Sequence, residues 1–398
     1  MKLEQFCHIN PSEQLCKNIE YDFVEMADIV PGKRYVFSKS KKIFNGSFSK
    51  FSNKDTLMAK ITPCLENGKI SQFIGSDKAF GSTEFNIFRE KKDISDNDYL
   101  YYLISSPLVK GPAIKSMSGA TGRQRANLDK IKQIEVPDIS IKAQQKIAKF
   151  LSNYDDLIEN NNRRIKILEE MAQKIYKEWF VDFKFPGHET TTFKDSPLGK
   201  IPNDWEVKKI GKEYKTYLGG TPSRNEIKYW NGDIPWLNSG KTNELRITEA
   251  SEYITKAGLE KSSTKLMPKF TTVLAITGAT LGQVSMLGDE MCANQSVVGV
   301  YSNTNQEFVF YLLKDKIKKL IQNASGGAQQ HINKDIVNEM EFILPTNNIL
   351  NDFTNILKPI NLEIFNLLHK NRVLKQTRDT LLPRLISGEI NVENMEVQ

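Results

Sequence analysis

Residues 147–179 read IAKFLSNYDDLIENNNRRIKILEEMAQKIYKEW, and their apolar side chains recur at alternating steps of four and three. This spacing is a heptad repeat, which places an apolar seam along a helix that packs against a second helix. The seam is longer than the apolar face of an ordinary globular helix, so we predict one long helix over about 141–182, ending before Gly187. Its members are Ile147, Leu151, Tyr154, Ile158, Asn161, Ile165, Leu168, Ala172, Ile175 and Trp179.

The pattern returns 206 positions further along the chain. The stretch from Ser118 to Phe180 aligns without a gap with the stretch from Ala324 to Ile386, and apolar positions match better than identities do. Internal similarity of this length indicates a structural repeat. A second long helix is therefore predicted over about 346–387, before Gly388. Its seam comprises Phe353, Leu357, Ile360, Ile364, Leu367, Asn371, Leu374, Arg378, Leu381 and Leu385.

The similarity extends upstream with small gaps. Thr56-Leu-Met-Ala59 resembles Thr272-Val-Leu-Ala275, and both are typical of short buried strands. Tyr99-Leu-Tyr-Tyr-Leu-Ile104 resembles Phe308-Val-Phe-Tyr-Leu-Leu313, and both open helix-like stretches. Further strands are predicted at Thr272–Thr277, Val297–Tyr301 and Glu341–Leu344.

These observations predict an α+β fold with an internal pseudo-two-fold repeat. We expect two mixed α/β globules, at 1–140 and 186–345. Two long helices, at 141–185 and 346–398, separate the globules and form an antiparallel coiled coil.

Each seam contains one asparagine, Asn161 or Asn371, and the two are not equivalent in the repeat. An antiparallel alignment that pairs them also places Ile147 against Leu385 and Tyr154 against Arg378, where the ring can cover the arginine stem. A parallel alignment would leave two buried amides unpaired, at about 1–3 kcal/mol each. A buried asparagine pair also fixes register, so we predict the antiparallel arrangement with Asn161 facing Asn371.

The composition excludes several classes of protein. The 398 residues contain no apolar run long enough to span a membrane, and the first residues do not resemble a secretory signal. The four cysteines form no C-x-x-C pair, which argues against a disulfide framework or a zinc ribbon. We therefore expect a cytoplasmic protein. Lysine and arginine number 55 against 48 acids, which hints at a polyanionic partner.

The segment from Lys33 to Lys54 concentrates this charge. It holds basic residues and no acid, with five aromatic residues between them. Basic side chains displace counterions from phosphates, and aromatic rings can pack on sugars or bases. A solvated face with a small core of its own explains the same pattern, so this segment alone does not establish nucleic-acid binding.

Signatures of catalysis are missing from the sequence. It contains no phosphate-binding G-x-x-x-x-G-K-[ST] loop and no H-E-x-x-H zinc motif. An adenine methyltransferase needs a loop of the N/D-P-P-Y/F type, and the sequence has none. Pro137-Asp138 could begin the acidic pair of a nuclease, but no Glu-x-Lys follows it before Phe180. We expect no metal site and no catalytic residue on this chain.

Polar loops with glycines are abundant in both globules, and they suggest DNA binding. Arginine, asparagine and glutamine can read guanine and adenine edges with two hydrogen bonds, while an ordinary turn explains any one loop taken alone. Because corresponding loops occur in both halves, we predict that DNA contacts come from Lys39, Lys41, Lys42, Asn67, Lys69, Arg123, Gln124, Arg125, Thr221, Ser223, Arg224, Ser239, Lys241, Thr280, Gln283, Gln329, Gln330 and His331.

Four stretches of the sequence resemble the signature motifs of one protein family. Two lie in the first globule, Thr62-Pro-Cys-Leu-Glu-Asn-Gly-Lys69 and Gly81-Ser-Thr-Glu-Phe85. Ile201-Pro-Asn-Asp-Trp-Glu-Val207 precedes the second globule, and the first half has no such lead-in. Thr380-Leu-Leu-Pro-Arg-Leu-Ile-Ser-Gly-Glu-Ile390 ends the second helix. These stretches resemble, in turn, the target recognition domain signatures, the second-domain opening and the helix ending of the specificity subunits of type I restriction–modification systems.

The resemblance implies a non-catalytic subunit that reads DNA. In this family, two target recognition domains each bind half of a split double-stranded site, and the helices dock two modification subunits that bind S-adenosylmethionine and methylate adenine. Restriction subunits add nuclease activity that depends on ATP and Mg²⁺. No cofactor is expected on this chain. Two alternatives stay open at this point: a coiled-coil adaptor that binds only proteins, and the recognition part of a fused restriction–methylation enzyme.

Overall fold

The structure, a computed structural model, describes residues 1–120, 122–322 and 332–392. The chain divides into two units. Unit 1 comprises Met1–Asn160 and Asn371–Gln398, and unit 2 comprises Asn161–Lys370. Each unit therefore combines one mixed α/β globule with parts of two long helices.

Unit 1 begins with a globule whose described residues form nine strands and four short helices. The strands are β1 (Cys7–Ile9), β2 (Glu20–Val24), β3 (Tyr35–Val36), β4 (Ser40–Ile43), β5 (Ser49–Phe51), β6 (Thr56–Ala59), β7 (Ile70–Phe73), β8 (Ala79–Gly81) and β9 (Phe85–Glu90). The helices are α1 (Leu3–Phe6), α2 (Asn97–Ser105), α3 (Pro107–Lys115) and α4 (Leu128–Lys132).

Two sheets organise this globule. One has the strand order β1-β9-β6-β7-β3 and the other the order β4-β2-β8-β5. Strand β6 lies at the centre of the first sheet, where Thr56 faces Phe88 on one side and Gln72 on the other. Helix α2 packs in the core, and all residues from Tyr99 to Ile104 are buried. A helix that is apolar on every side is stable only when it is enclosed in this way.

Unit 2 contains the second globule. Its strands are β10 (Phe193–Ser196), β11 (Gly199–Pro202), β12 (Glu206–Lys209), β13 (Lys215–Leu218), β14 (Trp230–Leu237), β15 (Glu252–Ile254), β16 (Thr272–Ala275), β17 (Val284–Met286), β18 (Cys292–Ala293), β19 (Val297–Tyr301) and β20 (Glu341–Leu344). Its helices are α6 (Ile210–Glu213), α7 (Lys256–Glu260), α8 (Gln306–Gln322) and α9 (Lys334–Glu339), and the two long helices are described below.

The sheets of unit 2 repeat those of unit 1. The order β13-β19-β16-β17 corresponds to β1-β9-β6-β7, and the order β15-β14-β18 corresponds to β4-β2-β8. The strand pairs β2–β8 and β14–β18 are both parallel, whereas the other pairs of these sheets are antiparallel, apart from β3–β7 at an edge. Two two-stranded sheets, β10-β11 and β12-β20, complete the globule. The predicted α+β fold with two repeated mixed domains is confirmed.

One identity in the repeat has a clear structural reason. Asn127 and Asn333 lie 206 positions apart, and each is the N-cap of a short helix. The side chain of Asn127 accepts a hydrogen bond from the backbone N–H of Lys130 at 3.1 Å, and that of Asn333 accepts one from Ile336 at 2.8 Å. Asparagine is among the best N-cap residues, so the two asparagines have the same structural role in the two halves.

The long helices agree with the predicted bounds. Helix α5 spans Ile141–Tyr176 and continues as a π-helical turn over Lys177–Val181, while helix α10 spans Asn347–Ile386. Every predicted seam position in both helices is buried or half-buried.

Within each unit, the two helices contact each other in antiparallel order. In unit 1, Ile147 and Leu151 share a cluster with Leu385. In unit 2, Ile165 packs with Leu367, and the rings of Trp179 and Phe353 lie 5.8 Å apart.

The polar layer at Arg378 differs from the prediction that the Tyr154 ring covers it. The guanidinium of Arg378 forms a buried ion pair with Asp155, next to the predicted position, and the Tyr154 ring packs on Phe150 at 5.7 Å. A buried charge needs a charged partner more than an apolar cover, which explains the difference.

Candidate nucleic-acid interface

Three polar stretches of the first globule meet in unit 1. The backbone N–H of Thr62 donates to the carbonyl of Gln124 at 3.0 Å, and Ile61 pairs with Arg125 in a short antiparallel bridge. The backbone N–H of Lys60 donates to the carbonyl of Glu84 at 2.9 Å. The described residues of the stretches 60–69, 82–85 and 118–126 therefore form one surface, although they are far apart in sequence.

Arg125 of this surface is held by a carboxylate partner. Its guanidinium donates two hydrogen bonds to the carboxylate of Glu84, at 3.0 and 2.6 Å, and these bonds lower the pKa of Glu84. Half of the Arg125 side chain stays exposed. Arg123 is exposed and Gln124 is half-buried. The surface thus presents an arginine fork with a fixed orientation, and such forks suit phosphates and base edges.

Three predicted lysines lie on or beside strand β4, at an edge of the second sheet. Lys39 pairs with Asp28 at 3.1 Å, and Lys42 pairs with Glu25 at 2.7 Å while lying 3.9 Å from the centre of the Phe23 ring. Lys41 is exposed on the same strand. The strand therefore forms a solvent-exposed basic edge.

The two remaining predictions for the first globule differ in exposure. Asn67 is exposed. Lys69 is half-buried, and its ammonium donates to the carbonyl of Met26 at 2.7 Å. Lys69 therefore stabilises the loop that contains Met26, in addition to contributing positive charge.

In unit 2, a glycine pair brings the stretch 219–224 against strand β18 and the turn that follows it. A Cβ atom at Gly219 would lie 2.0 Å from the carbonyl oxygen of Asn294, and one at Gly220 would lie 2.3 Å from Ser263 Oγ. These glycines permit close approach to the chain's own backbone. Beside them, the hydroxyl of Thr221 donates to Gln295 at 2.6 Å.

Arg224 is held by a glutamate, as Arg125 is in the first globule. Its guanidinium donates to both oxygens of Glu252, which lowers the pKa of that carboxylate, and it lies 3.6 Å from the centre of the Trp230 ring. The neighbouring Ser223 is exposed, and its carbonyl accepts a hydrogen bond from the Trp230 indole. Both globules therefore carry an exposed arginine whose planar group a glutamate orients.

Two further loops of unit 2 lie side by side. The hydroxyl of Thr242 donates to Gln283 at 3.3 Å, which joins the loop containing Ser239 and Lys241 to the loop containing Thr280. Lys241 pairs with Glu244 at 2.7 Å. All four predicted residues of these loops are half-buried. Gln329, Gln330 and His331 lie outside the described residues.

Sequence reasoning missed Glu84 and Glu252. Glu84 stands in the quoted stretch Gly81–Phe85, but nothing in its spacing indicates an arginine partner 41 positions away. It also missed the buried arginines Arg34 and Arg246, because arginine is mostly exposed in proteins and the sequence does not show which arginines have buried partners.

Among the described residues, no three histidine, cysteine or carboxylate side chains lie close enough together to bind a metal ion. None of the described helices is sufficiently long and apolar to cross a membrane.

Comparison with known proteins identifies a relationship over most of the chain. A family model, the type I restriction modification DNA specificity domain, matches residues 1–170 and again residues 202–373. The match occurs twice, in the two halves of the repeat described above.

Individual relatives agree with the family model. The MjaIX specificity subunit of Methanocaldococcus jannaschii is 29% identical over 309 residues, which cover 76% of this chain and 71% of the relative. The HindI specificity subunit of Haemophilus influenzae is 24% identical over 371 residues, which cover 78% and 81%. The crystal structure of a type I system S subunit from M. genitalium covers 97% of this chain and 95% of its own, with a TM-score of 0.57 and 14% identity, a similarity of fold.

Proposed function

This chain belongs to the type I restriction–modification DNA specificity family, and from this premise we propose that its two globules each read one half of a split double-stranded DNA site. It is a specificity subunit, the non-catalytic part of such a system that recognises DNA, and catalysis lies on the modification and restriction subunits.

The repeat carries the proposal of a split site. Two globules with the same sheet order each present polar loops, and each holds an exposed arginine against a glutamate. A protein with repeated reading surfaces matches a target with two separate parts. The recognition domains then correspond to residues 1–140 and 186–345, and the helical regions between and after them to 141–185 and 346–398.

The exposed cations divide into two proposed roles. Arg125 and Arg224 are oriented forks and suit base edges or paired phosphate oxygens. The lysines of strand β4 suit phosphates, which position the protein without reading sequence. The remaining polar residues predicted above stay candidates for either kind of contact, including Gln329, Gln330 and His331.

For the long helices we propose a spacer role. The antiparallel contacts within each unit and the continuous heptad register support a coiled coil that separates the globules and docks two modification subunits, to which restriction subunits add. These partners would supply S-adenosylmethionine, ATP and Mg²⁺ chemistry. Such an enzyme works on DNA in the cytoplasm.

The register also supports a pairing of Asn161 with Asn371. If the pairing exists, Asn161→Leu alone leaves one buried amide without a partner, whereas Asn161→Leu together with Asn371→Leu leaves none. Denaturant unfolding should then find the double variant more stable than the single one. Equal stability of the two variants would exclude the pairing.

Methylome sequencing tests the function directly. Cells would express this chain with its modification subunit, and control cells would express the modification subunit alone. We expect adenine methylation at one split motif, in both halves, only when this chain is present. No chain-dependent motif, or a motif of one continuous block, would overturn the proposal.

A further inference from the structure

Unit 1 contains a buried arginine that joins the recognition globule to its own helix α2. Arg34 precedes strand β3 and is only 3% exposed. Its guanidinium donates to Gln72 at 3.2 and 3.0 Å and to the Tyr102 hydroxyl at 3.2 Å, and it pairs with Asp98 at 2.6 Å. The fork therefore links the first sheet to helix α2.

The contacts continue from Tyr102 to both long helices. The Tyr102 hydroxyl donates to Asp155 of helix α5 at 2.5 Å, and the guanidinium of Arg378 of helix α10 binds the same carboxylate. The Asp155 and Arg378 side chains are 4% and 7% exposed. One connected set of buried polar groups thus runs from the globule through Tyr102 to two helices.

Unit 2 contains a corresponding set. The side chain of Arg246 is fully buried, its Nε donates to Asn361 of helix α10 at 2.9 Å, and it pairs with Glu169 of helix α5 at 3.3 Å. The Tyr311 hydroxyl donates to Glu169 at 3.1 Å, and Lys314 pairs with Glu169 at 2.6 Å.

The two sets correspond in the repeat. Tyr102 and Tyr311 occupy the same place in the matching stretches of helices α2 and α8, and each donates to a carboxylate of helix α5. Asp155 and Asn361 lie 206 positions apart, and each accepts a hydrogen bond from a buried side chain of its globule. The acids differ in their surroundings, since burial raises the pKa of Asp155, whereas Arg246 and Lys314 overcome the effect of burial and lower the pKa of Glu169.

Networks of this kind favour one geometry over its alternatives. Well-packed apolar side chains would stabilise the same junctions at least as well, because burying charges requires their desolvation. A directional set of hydrogen bonds, however, accepts only one orientation of the globule on the helices. The position of a reading surface along DNA depends on that orientation.

We propose that Tyr102 and Tyr311, with the arginines Arg34 and Arg246, are positioning residues that fix the angle of each recognition globule on the long helices. They thereby set the spacer length between the two half-sites and leave the bases within each half-site to the exposed loops. This inference rests on the proposed function, because it presupposes a split DNA site.

Removal of single hydroxyl groups tests the inference. The variants are Tyr102→Phe and Tyr311→Phe, which keep the aromatic ring and lose the hydrogen bond to helix α5. The matched control is Tyr99→Phe, since Tyr99 is fully buried on the same helix as Tyr102 and its hydroxyl has no partner among the described residues. Each variant is assembled with the modification subunit.

The assay measures methylation of duplexes that carry the natural spacer, a spacer one base pair longer or shorter, or a changed base in one half-site. We expect Tyr102→Phe and Tyr311→Phe to reduce discrimination between spacers by about tenfold, the equivalent of one charge-assisted hydrogen bond, with base discrimination unchanged. The control should keep the discrimination of the natural chain.

Each outcome either supports or contradicts the positioning role. Spacer discrimination equal to that of Tyr99→Phe, or loss of base discrimination in place of spacer discrimination, would overturn the positioning role. If Tyr102→Phe does not assemble, Tyr311→Phe provides the same measurement in unit 2. A natural chain that directs no split motif would refute the proposed function itself, which separates the two failures.

Discussion

Several of the cations that we propose for DNA contact already have carboxylate partners within the chain. Lys42, Arg125 and Arg224 each have a glutamate partner, and Lys39 and Lys241 also form ion pairs. Exposed ion pairs contribute little free energy, so DNA phosphates can replace these carboxylates. Because the ion pair within the protein is then lost, the net binding free energy gained from each such phosphate contact is smaller. Lys41 is exposed and has no ion pair within the described part of the chain. It should therefore contribute its full charge.

Replacement of Lys41 by glutamine should reduce the salt dependence of DNA binding. Loss of one phosphate contact lowers the slope of log affinity against log salt by about 0.9, with the preferred sequence unchanged. Fluorescence anisotropy of the assembled complex at several salt concentrations measures the slope. Lys166→Gln is the control, because Lys166 is an exposed lysine of helix α5. Equal slopes for the two variants would contradict a phosphate contact at Lys41.

Glu169 should make the stability of unit 2 depend on pH. Its pKa lies below the ordinary value of 4.5, so its stabilising effect is present above pH 4.5 and is lost as the pH falls through the lowered pKa. Glu169→Gln should cost about 3–5 kcal/mol at neutral pH, because Arg246 and Lys314 lose their buried counter-charge. The difference from the natural chain should shrink in acid.

Denaturant unfolding at neutral pH and at about pH 3.5 measures this change. Glu170→Gln is the matched control, since Glu170 is the exposed neighbour on the same helix. A difference between Glu169→Gln and the natural chain that stays constant with pH would contradict an ionised Glu169 in the folded state.

Among the elements, the long helices were the most predictable from sequence. Heptad spacing identified both seams and both ends within a few residues. A periodic pattern becomes more reliable as more positions agree with it, and these helices have many such positions. Asp155, Glu169 and Asn361 are also buried on these helices, and the heptad could not identify them. They face the globules, and a contact with a distant segment leaves no periodic signal.

Ile364 of helix α10 should be a major contributor to the stability of unit 2. It is fully buried and packs with Ile165 and Leu367. Ile364→Ala should lower the free energy of unfolding by about 2–5 kcal/mol, through lost burial and the cavity that remains. Leu362→Ala, at a position 41% exposed on the same helix, should stay within about 0.5 kcal/mol of the natural chain. Similar losses for both variants would show that the seam is not the packed face.

At the scale of the molecule, the sequence repeat predicted the duplicated architecture but not how the candidate surface is assembled. Matching strands such as Thr56–Ala59 and Thr272–Ala275 were visible because buried strands keep their apolar character. The meeting of the stretches 60–69 and 118–126 follows from backbone hydrogen bonds between remote segments, which local patterns do not encode. The carboxylate partners of Arg125 and Arg224 were missed for the same reason.

Exchange of one globule should change one half of the DNA target. We expect a chain in which residues 186–345 are replaced by the matching globule of a relative to keep one half-site and the spacer. Two reading surfaces on one face of DNA lie about 34 Å apart per helical turn, too far for shared base contacts. Methylome sequencing identifies both halves at once, and exchange of residues 1–140 is the reciprocal control. A change in both half-sites would show that the globules do not read independently.

The discontinuity of unit 1 has a consequence for synthesis on the ribosome. Its core combines Ile147 and Leu151 with Leu385 and Ile386, so the first globule to leave the ribosome is the last to be completed. At about 5–20 residues per second, the intervening chain takes roughly 10–40 s to translate. Through that interval Ile147 and Leu151 of helix α5 lack Leu385 and Ile386, the apolar neighbours that they have in the folded unit. The core of unit 1 can therefore be completed only after nearly the whole chain has been synthesised.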